Sequence, residues 1–145
     1  MTGHWFNLHY GGNVTKLYID STDLGIISVS GSDYRIKKDV VPLADGCVDR
    51  IKQLRPVEWE FSDFQTMSMQ ENGLALFEAD GIRREGFIAH EVGEVIPSGC
   101  DGEKDREDGI QSLKLDAILS VTVKALQEVI TKIEDLESRI EGLGG

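Results

Sequence analysis

Ser32 and Lys37 lie five residues apart and offer a nucleophile and a base close together in the chain. A serine hydroxyl attacks a carbonyl only when a neighbouring group takes its proton, and a lysine can do this where burial keeps its amine uncharged. The pair is therefore a candidate cutting site. The plainer reading is that Ser32 caps a turn and Lys37 is a solvated charge. Spacing alone favours the plainer reading, because both residue types are common. Lys38 is a rival base, but its adjacent position points it elsewhere.

Other chemistry-bearing residues give weaker patterns. His90 and Glu94 are four apart on one helix face, but Glu94 stands where the zinc-protease pattern His-Glu-x-x-His needs its second histidine. A lone histidine after an apolar strand is first a structural residue. His4 and His9 lack a nearby third ligand. The acidic run Asp101–Asp108, counted as a calcium loop, has Arg106 where glycine is needed and Ser112 where glutamate is needed. Cys47 and Cys100 have no metal-like spacing and suggest free thiols in a reducing compartment. The expectation is no metal and no cofactor.

The elements that must position Ser32 and Lys37 change character at that point. Leu17-Tyr18-Ile19 and Ile26–Val29, split by Ser21-Thr22-Asp23, predict a hairpin that needs further packing. After the pair, Leu43, Cys47, Ile51 and Leu54 predict a helix over 43–55, weakened by Gly46 and ended by Arg55-Pro56. Val57, Trp59 and Phe61 alternate with Glu58 and Glu60, the pattern of a strand with one wet face over 56–61. Residues 62–85 suggest a hairpin or arm turning at Asn72-Gly73. Phe87-Ile88-Ala89 reads as a short buried strand, and His90–Ile96 as a short helix stopped by Pro97.

A long helix is predicted from an N-cap at Asp116, after a strand-like Ile110–Leu115. Leu119, Leu126, Ile133 and Ile140 occupy one heptad position, and Thr122, Val129, Leu136 and Leu143 the other. That is a coiled-coil seam of about three and a half heptads, with Lys132 and Glu137 placed to pair across it. A two-position stripe this narrow favours partner helices over packing on its own domain.

The 145 residues suit one domain with an extended appendage, and the net charge of −11 argues against nucleic acid and anionic membrane as partners. No signal peptide or membrane-spanning run is visible, and Asn13-Val14-Thr15 is an isolated glycosylation sequon.

The motifs occur in a telling order. Leu17–Val40 ends in Ser32-Asp33-x-Arg35-hydrophobic-Lys37; Pro56-Val57-Glu58-Trp59, then Gly86-Phe87-Ile88-Ala89-His90-Glu91-Val92, then a closing helix follow. This arrangement, from Leu17 to Leu143, resembles the intramolecular chaperone domain at the C-terminus of bacteriophage tail spikes and tail fibres, the endosialidase-type, auto-processing family. The resemblance implies an α+β fold: a small mixed domain with an N-terminal β segment and a long C-terminal coiled-coil helix, trimeric. Residues 1–31 would be the trailing β segment of the fibre, 32–110 the globular chaperone and 111–145 the coiled-coil helix.

The resemblance also implies an activity, self-cleavage at Gly31–Ser32, with Ser32 as nucleophile and Lys37 as general base. Gly31 suits attack at its carbonyl, since no side chain crowds it. Asp33 and Arg35 match the motif and are assigned orienting or fold roles, and His90, where the family often has Gln or His, is an implied supporting residue. The implied partners are two identical chains and the upstream fibre of the same polypeptide. The implied setting is the host bacterial cytoplasm during virion assembly. Two other readings stand beside it: a non-cleaving coiled-coil trimerisation module, and a retained structural tip of the fibre.

Overall fold

A computed structural model of the chain describes residues 5–11, 14–27, 32–66, 70 and 77–143. It is α+β: the described residues form an antiparallel three-stranded meander, short antiparallel strand pairs, two short helical segments over Cys47–Gln53 and Ala89–Val95, and one long helix. Strands β1 (Phe6–Gly11), β2 (Val14–Ile19) and β3 (Thr22–Ile27) form an antiparallel meander in which Phe6 pairs with Ile19, and Ile19 with Thr22. The hairpin is thus present, but its turn is the pair Asp20-Ser21, with Asp20 in the left-handed region at φ 54° that aspartate tolerates. Thr22 and Asp23, expected in the turn, are buried at the start of β3.

Helix α1 covers Cys47–Gln53, four residues short of the expected start. Gly46 is its N-cap at φ 96°, a backbone state that favours glycine, and Leu43 lies exposed ahead of it. The glycine that weakened the helical pattern is where the helix begins. Strand β4 (Val57–Trp59) pairs antiparallel with β5 (Arg84–Gly86), and Val57, Trp59 and Phe61 are the half-buried positions of the predicted alternation. Trp59 meets Phe61 edge-on at 4.9 Å, Phe61 stacks on Phe77 at 4.7 Å, and the Arg84 guanidinium lies 4.5 Å from the Phe61 ring. Phe64 and Phe77 bridge antiparallel at the root of the expected arm, whose Met67, Met69 and Asn72-Gly73 turn lie outside the described residues.

The strand expected at Phe87–Ala89 sits earlier, at Arg84–Gly86, because those residues pair with β4 while Ala89 already opens α2 (Ala89–Val95). Pro97 ends α2 and starts a 3-10 turn, Pro97–Gly99. Strands β6 (Cys100–Asp101) and β7 (Ser112–Leu113) pair across the exposed acidic loop. Helix α3 runs Leu115–Leu143, so Asp116 lies in its first turn instead of capping it.

The core is small: Cys47, Val92, Ile96, Ile118, Val121 and Ala125, with Val48, Ile51, Leu54, Phe87 and Leu113 packed around it. It joins α1 and α2 to the first half of α3. Beyond that, residues 129–143 are all exposed. A helix of this length without packing is marginal in water, so the outer half of α3 needs an apolar surface to rest on.

Candidate functional site

Ser32 and Lys37 are brought together by one tight turn. Asp33 has extended backbone and caps a 3-10 turn at Tyr34–Ile36, accepting a hydrogen bond from the Arg35 backbone N–H at 2.9 Å. The Ile36 N–H donates to the Asp33 carbonyl and the Lys37 N–H to that of Tyr34, both at 3.2 Å. The turn reverses the chain, and Lys37 Nζ donates to Ser32 Oγ at 2.7 Å. The turn is thus capped by Asp33 and not by Ser32, the residue the plainer sequence reading put there, which leaves the Ser32 hydroxyl to meet the lysine.

Asp33 is fixed in turn by Arg35, whose Nε and Nη2 donate to its two carboxylate oxygens at 2.9 and 2.6 Å. The guanidinium and the backbone N–H hold the Asp33 carboxyl below the usual carboxylate range, and Asp33 raises Arg35 in return. All of residues 32–46 are exposed, Tyr34, Ile36, Val40 and Val41 among them. Gly31, on the other side of the candidate bond, lies outside the described residues.

Lys38 sits with Asp39 at 3.8 Å, away from the serine. His90 is half-buried in the first turn of α2 and lines a cleft of about 500 Å³ with Phe64, Gln65 and the 103–111 loop. Among the described residues no hydrogen bond joins it to Ser32 or Lys37. His4 lies outside the described residues, and among the described ones no cluster of His, Cys, Asp or Glu is arranged to hold a metal. Cys47 and Cys100 are unbridged, and burial pushes the Cys100 thiol up.

Sequence reasoning missed the groups that fix the start of α1, the first helix after this turn. The chain leaving Lys37 enters α1, whose first two N–H groups, Cys47 and Val48, donate to the Glu128 carboxylate of α3 at 3.1 Å each. Desolvation pushes the Glu128 carboxyl up, but the backbone N–H groups of Cys47, Val48 and Gly46 together hold it below its usual range. Lys124, one turn earlier, pairs with Asp45 at 2.7 Å. A glycine N-cap with no side chain of its own, at Gly46, was the signal that the cap must come from elsewhere.

The faces of α3 differ in burial. Ile118, Val121 and Ala125 are buried on the body, whereas Leu119, Leu126, Ile133, Ile140, Val129, Leu136 and Leu143 are exposed. The heptad seam is thus a separate stripe from the docking face, and Leu126 keeps 59% of its surface in water.

Residues 32–99 match the family model described as Peptidase S74, chaperone of endosialidase. The matched segment begins at Ser32. A solved structure described as a novel intramolecular chaperon aligns with 70% of this chain and 99% of its own, at 16% identity and a TM-score of 0.43. No curated protein matches the chain.

Proposed function

We propose that the chain, whose residues 32–99 match the chaperone-of-endosialidase family model, is a self-cleaving, trimerising intramolecular chaperone for an upstream fibre or spike. Three copies join through the exposed α3 seam and hold three upstream segments in register, which lowers the entropic cost of nucleating an intertwined fibre. The Gly31–Ser32 bond is then cut. The working place is the host bacterial cytoplasm during assembly, and the other partner is the fibre of the same polypeptide.

The observation that carries this reading is the 2.7 Å hydrogen bond between Lys37 Nζ and Ser32 Oγ. Ser32 Oγ attacks the Gly31 carbonyl carbon as its proton passes to the Lys37 amine. The tetrahedral intermediate expels the Ser32 backbone nitrogen, which takes that proton and leaves an ester between Gly31 and the serine oxygen. Water then hydrolyses the ester, giving a Gly31 carboxylate and a new chain starting at Ser32. The step requires Lys37 as the free amine, with the hydroxyl as donor. Removing water from an exposed pair disfavours an ammonium, so covering the turn by neighbouring copies links the cut to assembly. Asp33 and Arg35 act as positioning residues that hold the turn.

A non-cleaving trimerisation module or retained tip is the second reading, favoured by the exposure of both Ser32 and Lys37 in the single chain. Mass spectrometry of the purified chain decides. A fragment beginning at Ser32, absent in Ser32→Ala and in Lys37→Ala, is the expected result. An associated chain that stays whole with both groups present leaves only the scaffold.

A further inference from the structure

The β1–β3 meander, which lies ahead of the cleavage point, is bound to the body through two successive buried residues, Thr22 and Asp23. Asp23, the second residue of β3, has a side chain only 4% exposed. Its Oδ2 accepts from Lys16 Nζ of β2 at 2.7 Å and from Arg106 Nη1 of the acidic loop at 3.1 Å. Lys16 is raised above its ordinary range first by that hydrogen bond. The backbone of Asp23 is used as well: its N–H donates to the Asp108 carbonyl at 3.0 Å, and its carbonyl accepts from Ile110 at 3.2 Å, a parallel bridge centred on Gly109.

Gly109 makes the close approach possible. A Cβ there would lie 3.2 Å from Arg106 Cδ and 3.3 Å from the Asp23 carbonyl oxygen. Beside it the Thr22 and Thr66 hydroxyls, both buried, share a 2.7 Å hydrogen bond. Thr66 stands at the root of the segment expected to be an arm. Three kinds of contact thus converge on two successive residues of the upstream segment: an ion triad, a strand bridge and a hydroxyl pair.

We propose that Thr66, Arg106 and the 108–110 backbone form a clasp for Thr22-Asp23, so that the upstream piece stays bound after the Gly31–Ser32 bond is broken. Cleavage and release are then two steps, and the chaperone leaves only when the clasp opens. The proposal rests on the cleavage reading above. Physically, the cut removes the covalent tether, which only sets an effective concentration, while the buried contacts remain. Because Asp23 is shielded from water, its pairing is screened little by salt. Opening the clasp therefore requires competition for β3, such as its recruitment into a completed fibre sheet, more than a change of ionic strength.

The test uses the whole chain and two separations. A denaturing gel reads whether the bond is cut, and native size exclusion reads whether the two pieces travel together. Co-elution of cut pieces in both low and 0.5 M salt (about a 4 Å screening length) supports the clasp; cut pieces that separate on the native column overturn it. A chain uncut on the denaturing gel counts against the cleavage reading alone. A second chain, carrying a specific protease site between Gly31 and Ser32 and cut by added protease, reads the clasp in either case. In that nicked form Asp23→Asn and Arg106→Gln are each expected to weaken association at least about tenfold. Should Asp23→Asn fail to fold, Arg106→Gln, altered on a half-exposed side chain, still decides, with the helical circular dichroism signal checking the body. Unchanged association in a folded Arg106→Gln protein would overturn the ion triad as the clasp.

Discussion

At the scale of single residues, the Ser32–Lys37 approach depends on a turn held by Asp33, and Asp33 is held by Arg35. Its carboxyl lies below its ordinary value of 3.8 in the folded chain because the Arg35 side chain, and then its backbone N–H, hydrogen-bond the charged form. A carboxyl depressed on folding stabilises the folded turn above its unfolded pKa, and that support is lost as pH falls through the lower folded value. The turn should therefore be intact throughout the neutral range and loosen only below pH 3.8. An NMR titration of the Asp33 carboxyl should give a midpoint below 3.8 that moves up towards 3.8 in Arg35→Gln. A midpoint indifferent to that substitution would mean the guanidinium does not hold the turn. The same variant should slow self-cleavage several-fold without abolishing it, since Ser32 and Lys37 remain.

At the scale of elements, two glycines separate packing from backbone strain. Gly99 is buried where the 3-10 turn after α2 folds back, and a Cβ there would come within 2.9 Å of Val92 Cγ1 and 3.3 Å of Ile96 Cγ2. Both neighbours are core side chains, so Gly99→Ala should cost about 1–3 kcal/mol by overpacking. Gly46 has open space around it but φ 96°, so Gly46→Ala should cost about 1–2 kcal/mol through the backbone alone. Urea unfolding measures both, and a further Val92→Ala change should relieve Gly99→Ala but not Gly46→Ala. The elements were legible wherever their cause was local: the alternation Val57-Trp59-Phe61, the stop at Pro97 and the heptads of α3 all are. The start of α1 was not, because its cap is Glu128, about eighty residues away in sequence. Phe87–Ala89 misled because an apolar triplet is equally a strand or the first turn of a buried helix. The Ser32–Lys37 pair was singled out by the order of the motifs around it, since spacing alone favoured a capped turn and a solvated charge, whereas Asp23 looked like a turn aspartate. Its partner Arg106 is placed by the fold, not by any spacing in the chain.

At the scale of the whole molecule, α3 presents two surfaces, one packed and one exposed. Ile118, Val121 and Ala125 belong to the body, and the Leu119–Leu126–Ile133–Ile140 line faces water in the single chain. Replacing Leu126 and Ile133 by Ser should therefore leave the body folded, since neither side chain belongs to its core. The same double change removes two seam layers, each of which would bury a side chain worth about 1.5–3 kcal/mol per copy in an assembled bundle. Sedimentation equilibrium should show three associated chains for the parent and a single chain for the variant. Thermal melting of the outer helix should lose its dependence on concentration. If covering of the exposed turn by neighbouring copies is what activates Lys37, the variant should also remain uncut while keeping both Ser32 and Lys37. A single-chain variant that cut itself at the parent rate would separate the two halves of the proposal, leaving the chemistry intrinsic to the turn and the helix as an assembly device alone.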